Sequence, residues 1–200
     1  MHRFVCLLCL FVLSSPALLC AQDKPAGPTA LAATPTAGAR AEFLEELAYF
    51  EQRFTRLAEA IPADKYSWRP AEGVRSIGEV YMHVVAANYG IAKALGTPIP
   101  AGVDLKALTA SATDKAKVVQ GLKDSFVHFR SAIVAIKDSD LDSPQKMFNR
   151  QTTVRGAFLM ITGHLGEHLG QSIAYARQIG VVPPWTEERQ KQEAAGKPKP

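Results

Sequence analysis

The chain has 200 residues, 47% of them hydrophobic and 21% charged, which suits one globular domain with a packed core and excludes a wholly disordered chain. Its net charge of +4 is too slight and too scattered for a nucleic-acid surface, which shows itself as a basic stripe or a recognisable module. The three cysteines, Cys6, Cys9 and Cys20, all precede Ala21, so no disulfide staples the rest of the chain.

The first residues, MHRFVCLLCLFVLSSPALLCAQ, combine Arg3, an apolar run from Phe4 to Leu13 and a small residue, Ala21, where a signal peptidase can cut. That is the pattern of an export signal over residues 1–21, and it predicts a periplasmic or secreted protein. A lipid anchor on Cys20 is the weaker reading, because Leu19 is larger than the residue such processing prefers. The apolar run is shorter than the ~18 to 20 residues of a helical membrane span, and no later stretch reaches that length, so no span is predicted. Residues 22–39, QDKPAGPTALAATPTAGA, have little to bury and read as a flexible linker.

The folded domain is predicted over residues 40–185. Phe43, Leu47, Phe50, Phe54 and Leu57 recur at spacings of three and four, the mark of an amphipathic helix, and Pro62 ends it. A turn-rich loop follows, and Ser76–Glu79 (SIGE) reads as a capping box opening a second helix that runs to about Leu95. Gly96, Thr97 and Pro98 stop that helix. A third helix, from about Asp114 to Lys137, carries Val118, Leu122, Phe126, Phe129 and Ile133 on one face. Residues 138–150 read as a polar connection with no strand. The last helix starts near Thr152 or Thr153 and ends at Ile179, with Gly180, Pro183 and Pro184 as its stop. Residues 186–200 read as a disordered tail. The fold class predicted is all-α, an antiparallel four-helix bundle.

The last helix contains HLGEHLGQ, residues 164–171. At about 100° per residue, His164 and His168 stand about 40° apart around the helix and can converge on one point. They share a face with Ile161 and Leu165. Two neighbouring buried imidazoles need partners and cannot both charge without repulsion; a divalent metal satisfies both demands. His83, beside the apolar face of the second helix, is the candidate third ligand. Three neutral nitrogens leave coordination positions open, as in catalytic rather than closed structural sites. His128 follows Phe126 by two positions and is expected to face outward.

Three readings of HLGEHLGQ stay open at this point: half of a metal site, a peptidase core, or a helix that merely carries histidines. The string also fits the inverted zinc-peptidase pattern H-x-x-E-H with Glu167 as base. That class needs a glutamate ligand downstream, and the only later ones, Glu187, Glu188 and Glu193, follow the Pro-Pro break.

The loop WRP at 68–70, SIGEVYMH at 76–83 and HLGEHLGQ followed by RQIGVVPPW together resemble the DinB-like superfamily over roughly residues 40–185. The resemblance implies a four-helix bundle with a divalent metal, zinc or nickel, on His83, His164 and His168, and a homodimer, as relatives often are. Gln171 would sit one turn along the same helix. Leu169 and Glu167 stand where many relatives have Arg and His, so anion binding by that Arg does not carry over. Family activities resemble thiol transfer and thiol-dependent isomerisation with cytosolic thiols, of which an exported protein would meet little.

The main functional reading is therefore an exported, metal-dependent hydrolase or group transferase acting on a small molecule the residues do not name. Glu79 and Glu167 are its candidate acid/base helpers, although capping already accounts for Glu79. The alternative is a non-catalytic metal- or ligand-binding or dimerisation module. Tyr66, Trp68 and Trp185 would line a pocket or interface, or anchor loops to the bundle ends.

Overall fold

The computed structural model describes residues 33–196. The export leader, the first part of the linker and the last four residues of the predicted tail lie outside that range.

Four long helices form the core: α1 (Ala39–Ala60), α2 (Ile77–Ala94), α4 (Lys115–Ala135) and α5 (Val154–Gln178). A six-residue helix, α3 (Leu105–Ala110), interrupts the connection between α2 and α4. Each long helix buries the face its periodicity predicts. Leu47, Phe54 and Leu57 of α1, Val118, Leu122, Phe126 and Phe129 of α4, and Ile161 and Leu165 of α5 are fully enclosed. Each such side chain contributes about 1.5–3 kcal/mol of burial, and together they make one core.

The helix ends follow local chemistry. Ser76 and Glu79 form both halves of a capping box, with the Ser76 N–H donating to Glu79 Oε2 at 2.6 Å and the Glu79 N–H to Ser76 Oγ at 3.3 Å. Asp114 and Thr153 cap α4 and α5 through their side chains. At the end of α1, Pro62 has no N–H to offer the Ala58 carbonyl four residues back. The buried Tyr66 hydroxyl donates to that carbonyl instead, at 2.7 Å.

Helices α4 and α5 each pack against both α1 and α2. The sequential pairs α1–α2 and α4–α5 therefore lie across the bundle diagonals, and their connections must cross an end of the bundle. The arrangement makes α2 and α5 lateral neighbours, which decides where the histidines meet.

Two expectations need correction. Residues 138–150 are not all irregular: β1 (Pro144–Met147) and β2 (Arg150–Thr153) form an antiparallel hairpin, with Met147 paired to Arg150. Its two turn residues, Phe148 and Asn149, both have positive φ, 47° and 62°, as a tight two-residue hairpin turn requires. The hairpin is tied down along β1, where Met147 beside the turn is buried and Gln145 Nε2 donates to the Ala94 carbonyl at the end of α2. The predicted tail also differs, because α6 spans Pro184–Ala195. Pro184 occupies the first turn of α6, where its missing N–H costs nothing, so the Pro-Pro pair ends one helix and starts another. Nothing in α6 is buried; Glu188 pairs with Arg56, and the Arg53 guanidinium lies over the Trp185 ring at 4.2 Å.

Candidate metal centre

Helix α2 carries His83 into its second turn, and α5 carries His164 and His168 one turn apart on its core-facing side. Because α2 and α5 are neighbours, the three rings meet. The ring centroids of His83 and His164 are 5.4 Å apart, those of His83 and His168 4.6 Å, and those of His164 and His168 4.6 Å. One nitrogen from each ring lies within 4.8 Å of the other two, and all three side chains are half-buried.

The electrostatics keep two of the three rings unprotonated. Burial first, then the nearby charge of Arg75 and the neighbouring rings, lower His83 to about 4 from the ordinary 6.5. Burial, His168 and Arg75 likewise lower His164 to about 4. Both imidazoles are thus neutral, with free lone pairs, at neutral pH. His164 Nε2 is buried and has no hydrogen-bond partner, an arrangement that costs free energy unless a ligand occupies it. Nδ1 of His168 lies 3.0 Å from Gln171 Oε1, and Gln171 Nε2 donates to the Tyr175 hydroxyl at 3.0 Å. An amide oxygen can only accept, so Gln171 sets Nδ1 as the protonated nitrogen of His168 and leaves Nε2 to face the cluster. The donor set therefore fits a divalent transition metal.

The other predicted candidates lie elsewhere. His128 sits on α4 with its ring 5.2 Å from Tyr89, outside the cluster. Glu79 is engaged by the Ser76 cap and by Arg69, and the Ser76 backbone hydrogen bond holds its carboxyl below the usual range. Glu167 is exposed. Among the described residues no carboxylate joins the three histidines. Glu187, Glu188 and Glu193 pair with Lys191, Arg56 and Arg189, which leaves the inverted-peptidase reading without its third ligand. The candidate aromatics act as anchors: Tyr66 bonds α1, Trp68 meets Tyr175 edge-on at 5.6 Å, and Trp185 of α6 lies under the Arg53 guanidinium.

Two residues at the site were not anticipated. Phe148, at the hairpin tip, holds its ring 5.2 Å from that of His164. Arg75 precedes the α2 cap and lends positive charge to the centre. Phe148 could have been found only by reading the hairpin. Nothing in the pattern around Arg75 distinguished it from other surface arginines.

A helical bundle with three converging histidines thus defines the kind of protein this is. The family model described as the DinB superfamily matches residues 46–172, a span that holds all three histidines, and the chain belongs to that superfamily. It is similar to the crystal structure of a DinB-like protein from Bacillus cereus, with 21% identity, 71% of this chain and 93% of that chain covered and a TM-score of 0.58. This likeness shows the shared fold. A DinB-like protein from Bacillus subtilis is also similar, at 23% identity over 70% of this chain and 93% of that chain, with a TM-score of 0.48. No curated protein matches the chain. Among the described residues, no helix is long and apolar enough to cross a membrane.

Proposed function

We propose that the protein is a metal-binding module that holds one divalent ion, zinc or nickel, on His83, His164 and His168 and presents it to a small-molecule ligand. The observation that carries this reading is the convergence of three imidazoles, their ligating atoms within 4.8 Å, with the buried Nε2 of His164 unpartnered. Three protein ligands leave coordination positions for the small molecule. Gln171 supports the reading by holding His168 in the ligating tautomer.

The open ligand count also favours a second reading, a metal-dependent hydrolase or group transferase. When bound, such an ion supplies Lewis-acid polarisation of a ligand oxygen. Among the described residues no carboxylate joins the cluster to serve as acid or base: Glu79 is held by its cap and Arg69, and Glu167 faces solvent. The binding reading is therefore the conclusion.

Residues 1–21 are read as an export signal and 22–39 as a tether, so the domain at 40–185 works outside the cytoplasm, where cytosolic thiol chemistry has no supply. A homodimer is proposed on family likeness, and sedimentation equilibrium tests it. Chelation tests the main reading. Removing an open, ligand-presenting ion should leave far-UV circular dichroism nearly unchanged while abolishing binding of a metal-seeking anion such as azide. Collapse of the helical signal on chelation would instead make the ion structural.

A further inference from the structure

A cleft of about 540 Å³ runs beside the three-histidine cluster, between α2 and the hairpin. Its floor is the α2 face that continues from His83 through Ala87, Gly90, Ile91 and Ala94, at the helical spacings of one strip. Its roof is the hairpin tip, where Phe148 both lines the cleft and stands against His164. The cleft and the cluster thus share a wall.

Two features of this cleft run against local backbone preference. Phe148 is 46% exposed and adopts a left-handed φ of 47°, which suits Asn or Gly far better than a bulky residue. Gly90 interrupts the middle of a helix, where glycine is unfavourable, and a Cβ there would meet nothing within 4 Å. Close packing therefore does not demand a glycine. Its missing side chain leaves the α2 floor low in the cleft that Phe148 also lines. Ala87, Ile91 and Ala94 add no charge to the floor, and Lys146 stands at the rim. The volume falls in the range of small-molecule sites rather than of protein interfaces.

We propose that this cleft is a ligand site for a small molecule with a metal-coordinating head and an unbranched apolar body, the head reaching the three-histidine centre and the body lying between Phe148 and Gly90. The inference rests on the metal-binding reading and adds the chemical class of the ligand to it. Phe148 and Gly90 set which bodies fit.

The test uses the zinc-loaded full chain and a series of straight-chain alkyl hydroxamates, from acetohydroxamate to octanohydroxamate, with affinities measured by calorimetry. Affinity should rise up to about fourfold per added methylene until the cleft is filled, then level off. Phe148→Asn suits the turn, and Gly90→Leu suits the helix, so both variants should fold. Each should flatten the chain-length dependence, read as the slope of log affinity against chain length within each variant's own series. Equal affinity across the series, or an unchanged slope in both variants, would overturn the proposal and leave metal binding standing. Failure of the native chain to take up zinc, read by elemental analysis before any hydroxamate is added, would overturn the metal reading and this inference together.

Discussion

Two glycines of α2 should respond in opposite directions to the same substitution. A Cβ built on Gly78 would lie 1.7 Å from the Ala112 carbonyl oxygen, 2.8 Å from its carbon and 3.3 Å from the Tyr66 ring. Real Cβ contacts stop near 3.0 Å, so the two backbones must separate by about 1.3 Å. The same backbone carries the 2.9 Å bond from the Gly78 N–H to the Tyr66 carbonyl, which the movement would stretch. Overpacking costs about 3 kcal/mol at its upper end, and better helix propensity returns about 1 kcal/mol. Gly78→Ala should therefore lose about 2 kcal/mol, or roughly 4–8 °C in melting temperature for a domain of this size. Gly90→Ala meets nothing within 4 Å and should gain up to about 1 kcal/mol, roughly 2–4 °C. Paired thermal melts by circular dichroism measure both. Because Gly78 lies five residues before His83, its variant should also bind zinc more weakly. A Gly78→Ala protein melting at or above the native temperature would refute the close approach of α2 to the α3–α4 junction.

Other outcomes follow from the same contacts. His83 and His164 titrate at about 4 in the fold against an ordinary 6.5, so the unfolded chain binds more protons between those values. Stability of the metal-free protein should be full above about pH 6.5 and fall as pH drops towards 4; urea midpoints independent of pH would contradict this. Tyr66→Phe leaves the Ala58 carbonyl beside Pro62 without a donor and should cost about 1–3 kcal/mol in urea unfolding. Gln171→Leu should weaken zinc binding about 10–100-fold without lowering the helical signal, since it frees His168 to choose the wrong tautomer. An unchanged zinc affinity in that variant would remove Gln171 from the site.

Much of this was legible in the residues. The periodicity of Phe43 to Leu57 and of Val118 to Ile133 identified buried faces, and Ser76 with Glu79 marked the start of α2. His164 and His168 were bound to share a face because helical geometry allows nothing else. The diagonal placement of α1 against α2 was not legible, since a hydrophobic stripe says that a face is buried and not which helix covers it. The hairpin escaped because Phe148–Asn149 lacks the glycine that usually announces such a turn, and with it went Phe148's place beside His164. Helix α6 escaped because consecutive prolines read as a stop, whereas Pro184 also fits a first helical turn.

The central claim is that His83, His164 and His168 act as one site. The most direct measurement is elemental analysis, with a zinc titration, of the native chain prepared without a histidine tag or added metal, alongside the three single alanine variants. One divalent transition metal per native chain, lost in every variant while the helical circular dichroism persists, is the predicted result. A native chain that holds no such metal and takes up no zinc, or variants that bind it as well as the native protein, would contradict the account.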